Sequence, residues 1–234
     1  MATTLVVMQP TVLPWAGYFN LMQRASDFVF YDDVQLEKQS WQTRNRLLLE
    51  GRANWITLPV VHAGLNQLIS ETQIAPRNIW VERVKKSFVR NYKNHPFYKD
   101  ALGVVELLFD NPNENLAVFN ESIIEFIAQK LNIKTRTHRS SELNVEGKRS
   151  DRLIGLCSHF NAEVYLSPVG AREYLELDGF IKRTSSELVF QNFLPKPYPQ
   201  INSKEFVPHL SILDVIANLG WEQTRSYVIC DDFI

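Results

Sequence analysis

An α/β fold built on a parallel sheet is the fold class this sequence predicts, and three features predict it. Residues 5–31 read as strand, helix, strand. A second strand-to-turn-to-helix passage of similar composition lies near residue 167. The chain is 234 residues long with 45% hydrophobic and 12% aromatic residues, enough to bury a real core in one large domain. We take residues 1–234 as one domain, with a helical insertion at roughly 78–131.

Leu5–Met8 is a short apolar run closed by Gln9-Pro10, the signature of a buried strand. Pro14 suits the first turn of a helix, where no N–H is needed. From Trp15 to Ser26 the apolar stripe Tyr18, Phe19, Leu21, Met22 and Ala25 keeps helical spacing. Asp27 ends it, and Phe28–Tyr31 is a second β-type run. Strand, crossover helix and strand in so short a span form a βαβ unit near the centre of a parallel sheet.

Asn54–Val61 is a third strand candidate, and Ile69–Ile74 a short extended stretch. Asn78–Tyr92 reads as a basic amphipathic helix, followed by helices at His95–Phe109 and Asn113–Leu131. Ile133–Ser140 alternates and fits an edge strand. Lys148–Phe160 is helical, Val164–Ser167 a strand, Ala171–Leu175 a helix and Leu188–Phe193 strand-like. Ser211–Leu219 is a final helix that Gly220 ends.

Lys plus Arg number 25 against 26 Asp plus Glu, a net charge of -1 that argues against non-specific coating of nucleic acid. No apolar run approaches the roughly 20 residues that cross a bilayer, and the N-terminus lacks a signal-peptide pattern, so we expect a cytoplasmic address without membrane contact. Cys157 and Cys230 lack metal-like spacing and read as inert thiols; the five histidines show no metal spacing either. No dedicated cofactor is expected, although ATP, or Mg²⁺ carried with a nucleotide, is compatible with the sequence.

In parallel α/β sheets ligands sit beyond the carboxyl ends of the strands. Two passages have that form: Gln9 to Tyr18, with Trp15 and Gly17, and Ser167 to Arg172, with Gly170. Each combines a hydroxyl, a glycine and a turn opening a helix, where free N–H groups suit phosphate or carboxylate. Asp32 and Asp33 follow the second strand and are the candidate catalytic residues. Such acids hold a metal, accept a substrate hydroxyl or amine, act as a general base, or simply cap a turn. Adjacent residues of an extended chain point opposite ways, so one of the two should face a site, with Gln35 beside it. In the hexapeptide 41–46, Trp41 offers an aromatic face, Arg44 a planar fork for phosphate, and Asn45 a neighbouring amide. Lys148 opens a helix with Arg149 and Arg152, a further cationic candidate.

Taken together, QPTVLPWAGYF at 9–19, DFVFYDDVQ at 27–35, WQTRNR at 41–46, KRSDRL at 148–153, YLSPVGAREYL at 165–175 and FVPHLSILDVIANLG at 206–220 resemble the WbqC-like family. One departure is Thr43, where that family's pattern has Asn. The resemblance implies modification of a nucleotide-linked amino sugar for O-antigen or other surface polysaccharide. A second similarity, to pantothenate synthetase and other nucleotidylyltransferase-like enzymes, implies a HUP/Rossmann-like core. Their H-x-G-H loop is here Trp15-Ala16-Gly17-Tyr18: the glycine is kept and both histidines are lost, which counts against adenylation.

Three functions follow as expectations. The first is a transferase forming an amide on the sugar amine from an activated acyl or aminoacyl donor, aminoacyl-tRNA among the candidates. The others are ATP-dependent nucleotidyl or adenylyl transfer, and non-catalytic binding of a nucleotide sugar. Oligomeric state is not legible in the sequence.

Overall fold

The computed structural model of the chain describes residues 2–62, 64, 66–201 and 203–229. Its elements are, in order, β1 (Thr4–Met8), α1 (Ala16–Arg24), β2 (Asp27–Phe30), β3 (Arg44–Leu49), β4 (Arg52–Thr57), β5 (Val60–Val61), β6 (Gln73–Ile74), α2 (Val81–Tyr92), α3 (Tyr98–Asp110), α4 (Leu116–Lys130), β7 (Arg136–Arg139), α5 (Arg149–His159), β8 (Val164–Ser167), α6 (Arg172–Leu177), β9 (Glu187–Phe190) and α7 (Ile212–Ile229). Five strands form one sheet in the order β7-β2-β1-β8-β9, every pair parallel. The α/β parallel-sheet expectation therefore holds, and the βαβ unit lies at the centre of the sheet.

Both faces of the sheet are covered, as an all-parallel sheet requires. Successive β1 residues separate accordingly. Val6 joins Phe28, Phe30 and Leu166 in a core shared with α1, α3, α4 and α7. Leu5 and Val7 join Val29 and Tyr165 against Leu153 and Leu156 of α5 and Leu175 of α6. The chain between β2 and β7 carries the three helices α2 to α4, preceded by two small antiparallel pairs, β3–β4 and β5–β6.

Several boundaries differ from the sequence reading for local reasons. The run 54–61 is two strands rather than one, broken at Leu58-Pro59, because proline donates nothing to a ladder. Trp41–Leu49 hides β3, paired with β4 through a Glu50-Gly51 turn whose two residues have φ of 54° and 77°. That is the left-handed pair a two-residue hairpin favours. Ile69–Ile74 is a tight 3₁₀ turn at Ile69–Glu71 before the two residues of β6. Gly220 kinks α7 instead of ending it: φ is 69° there and the helix resumes. A Cβ at Gly220 would approach the Phe97 ring to 2.5 Å, so glycine is required twice over. Cys157 is free and buried, and burial pushes its thiol up to about 11. Cys230 lies outside the described residues.

Candidate functional site

The loop after β1 is held from several sides. Asn45 Nδ2 donates to the Val12 and Leu13 carbonyls at 2.9 and 2.8 Å. Asn120 Nδ2 donates to the carbonyls of Pro10 and Gln42 at 3.1 and 2.9 Å. These buried amides satisfy a turn that carries Leu13 at φ 45° and has no ladder of its own.

Beyond the ends of β1 and β8, this loop walls a cavity of about 570 Å³ lined by Gln9, Trp15, Tyr18, Trp41, Asn45, Arg46 and His209, with Tyr31, Tyr165 and Tyr174 among the other rings. Its position is the one that parallel sheets favour for ligands, and its size falls within the usual range for a small-molecule site. Tyr18 is fully buried apart from its contact with this space. Its hydroxyl donates to the Gln9 carbonyl at 3.1 Å, and burial raises it well above the ordinary tyrosine range. The Gln9 side chain accepts from Gln42 Nε2. Gly17 does not line the cavity; it makes room for a residue that does. A Cβ there would meet the Trp15 indole at 2.2 Å, so the ring folds back over the opening of α1 only because residue 17 is glycine. The same ring packs against His209 with centroids 4.8 Å apart.

Arg46 and His209 meet at the mouth. Arg46 Nη2 donates to the His209 carbonyl at 3.2 Å, and its guanidinium lies 5.7 Å from the Trp41 ring. His209 has φ of 57°. Its imidazole is lowered from the usual 6.5, by burial first and by the Arg46 charge second. At neutral pH it is a neutral ring with a lone pair to offer.

Asp32 and Asp33 do not line this cavity; both carboxylates are already bonded. Asp32 is buried and accepts from Ser140 Oγ at 3.0 Å, from Ser141 N at 2.9 Å and from Ser141 Oγ at 2.6 Å. Asp33 accepts from Ser140 Oγ at 2.5 Å and from Arg152, in a separate cleft of about 400 Å³ between the residues after β7 and the start of α5. The two side chains share Ser140 instead of pointing to opposite sides.

The remaining sequence candidates scatter. Gln35 is exposed and pairs with Leu68. Arg44 stacks on Trp55 outside the cavity, 4.1 Å from the ring centroid. Lys148 is exposed at the start of α5. Ser167 is fully buried at the end of β8, with Pro168 lining the cavity in its place, and Gly170 opens on a shallow cleft beside Arg172. The structure thus unites Gln9, Trp15, Tyr18, Trp41 and Asn45 and adds Arg46, His209 and three tyrosines. Arg46 was legible as the second arginine of the hexapeptide. His209 stood within FVPHLSILDVI, ahead of a helix, with nothing local to mark it. Among the described residues no three or more His, Cys, Asp or Glu side chains converge as a metal cage would need.

Comparison with known proteins places the chain in a family. The WbqC-like protein family matches residues 9–226, and the chain belongs to that family. It is similar to the uncharacterized protein Rv1507c of Mycobacterium tuberculosis, 29% identical over 218 residues that cover 92% of this chain and 94% of that protein. No solved structure matches the chain. Family membership points to a polysaccharide-related role.

Proposed function

We propose that this member of the WbqC-like family binds a nucleotide-linked amino sugar in the cavity at the end of β1 and forms an amide on its amine by acyl or aminoacyl transfer. The observation that carries the reading is one cavity combining indole and phenol rings, a guanidinium and a neutral imidazole at its mouth. Aromatic faces suit the apolar face of a sugar ring, and a guanidinium suits phosphate. A sugar amine attacks only as the free base, and His209 is the side chain placed to take a proton from it. In that step the amine nitrogen bonds to the acyl carbon and the carbon–sulfur or carbon–oxygen bond to the carrier breaks. The proton held by His209 passes to the departing thiolate or alkoxide. A free acid in place of an activated donor would require ATP with its Mg²⁺, and pyrophosphate release identifies that route.

The test is mass spectrometry of nucleotide-linked amino sugars incubated with acyl-thioester and aminoacyl-tRNA donors. The expected product has gained one acyl group. The rate should rise as pH passes the lowered value of His209 and go on rising until the sugar amine has itself lost its proton, and His209→Ala should slow the reaction about 100-fold or more. Saturable binding of a nucleotide sugar with no product from any donor contradicts catalysis and leaves the binding-protein reading. That second reading draws on one observation: the strand-end carboxylates are both bonded within the protein.

A further inference from the structure

On the outer face of the β3–β4 hairpin, four side chains form a continuous stack. Arg44 lies over Trp55 at 4.1 Å, Trp55 and Trp41 have ring centroids 5.1 Å apart, and Arg46 lies 5.7 and 6.0 Å from the two rings. The register explains why they meet. Arg44 and Arg46 alternate with the inward-facing Asn45, and Trp55 stands directly across from Arg46. Both tryptophans are nearly half exposed, at 46% for Trp41 and 45% for Trp55. Among the described residues neither arginine forms an ion pair with a carboxylate, and both Nε atoms lack a partner. Two half-exposed rings thus lie beside two guanidiniums that have no carboxylate partner among the described residues, a surface with the chemistry to take a flat ring and an anion.

The stack also joins two spaces. Trp41 and Arg46 line the central cavity, whereas Arg44 lines a second, larger cavity of about 1020 Å³ with Lys38, Thr57, Pro59 and His62. The central cavity is walled mainly by rings, while the outer one adds Lys38 to Arg44, against Glu37 as its acid. A ligand that is compact and sugar-like at one end, anionic in the middle and flat at the other end matches this sequence of surfaces.

We infer that the Arg44–Trp55–Trp41–Arg46 stack holds the nucleoside diphosphate half of the ligand. Arg46 and Arg44 bind the two phosphates, the base lies on the exposed tryptophan faces, and the sugar enters the central cavity. This assignment rests on the amino-sugar reading above and gives that ligand its direction. Arg–phosphate contacts and base–indole stacking each contribute enough to be read in a binding curve.

Calorimetry on the full chain with UDP, ADP, GDP, CDP and dTDP tests it, with inorganic pyrophosphate and the free nucleosides as half-ligands. At least one diphosphate should bind with a stoichiometry of one. Arg44→Gln and Trp55→Leu should each weaken it roughly tenfold or more, and the half-ligands should bind far more weakly. Should Trp55→Leu fail to fold, Arg44→Gln, a change at the surface, carries the same comparison. Absence of binding by all five diphosphates overturns the inference, as does binding that neither variant alters. Binding of a single-stranded RNA oligonucleotide with none by mononucleotides also overturns it and gives the stack to RNA. The two proposals fail separately. Diphosphate binding sensitive to both variants but without amide product sinks the transferase reading alone. Amide formation with unchanged KM in both variants sinks this one alone.

Discussion

The ends of β1 and β2 are neighbours in the sheet, yet the polar side chains after one face a cavity while the two acids after the other are bonded to serines and an arginine. After β1 the chain places Gln9, Trp15 and Tyr18 around empty space. After β2, Asp32 and Asp33 meet Ser140, Ser141 and Arg152, which tie β2 to the end of β7 and to α5. A conspicuous acidic pair at a strand end is thus bonded inside the protein, while the two guanidiniums of the aromatic hairpin have no carboxylate partner among the described residues. Charge alone does not mark a site.

The comparison breaks most visibly at Asp32. Asp32→Ala strips the acceptor from the buried Ser140, from the exposed Ser141 hydroxyl and from a backbone N–H, and should destabilise the fold by about 3 kcal/mol. That corresponds to a fall in Tm of roughly 6–12 °C for a chain of this size, readable by calorimetry. Asp33→Asn keeps an acceptor oxygen for Ser140 but removes the charge that Arg152 pairs with, and should cost somewhat less.

Gly17→Ala should follow. The added methyl meets the Trp15 ring at 2.2 Å, so the indole must move at a cost of about 1–3 kcal/mol. Because Trp15 lines the cavity, ligand affinity should fall with stability, whereas Asp33→Asn should lower stability alone.

Glu121 sharpens the contrast through pH. It is buried beneath the β1 loop and bonded to Arg139 at 2.5 Å, but its burial outweighs that partner and pushes it from 4.5 up to about 7. A folded-state value above the unfolded one means that the native protein holds the extra proton between those limits. Stability should therefore decline as pH rises from about 4.5 to 7 and then level off. Denaturant melts of Glu121→Gln across that range should lose this slope. The smallest effect belongs to the hairpin: Arg44→Gln removes a partly exposed guanidinium stacked on Trp55 and should cost no more than about 1 kcal/mol.

How much of this could be read from the sequence depends on how far apart the partners stand. The βαβ unit was legible because Leu5–Met8, Pro14 and Phe28–Tyr31 each announce their own structure locally. So was the loop at 9–18, which carries five of the sixteen residues of the cavity wall. The role of Asp32 was not, since its partners lie 108 and 109 residues away. His209 reaches Arg46 across 163 residues for the same reason. β3 escaped because Arg-Asn-Arg looks like a polar loop until the Val12 and Leu13 carbonyls arrive to take up Asn45. Gly220 read as a stop because a positive-φ glycine ends most helices, and only the Phe97 ring packed against it turns the stop into a kink.

The most direct test is a crystal structure of the protein with a nucleotide-linked amino sugar. We expect the sugar among Gln9, Trp15 and His209, with the diphosphate on Arg46 and Arg44. A ligand seated instead in the Asp33–Arg152 cleft, with the central cavity unchanged, would contradict the assignment of the site to the end of β1.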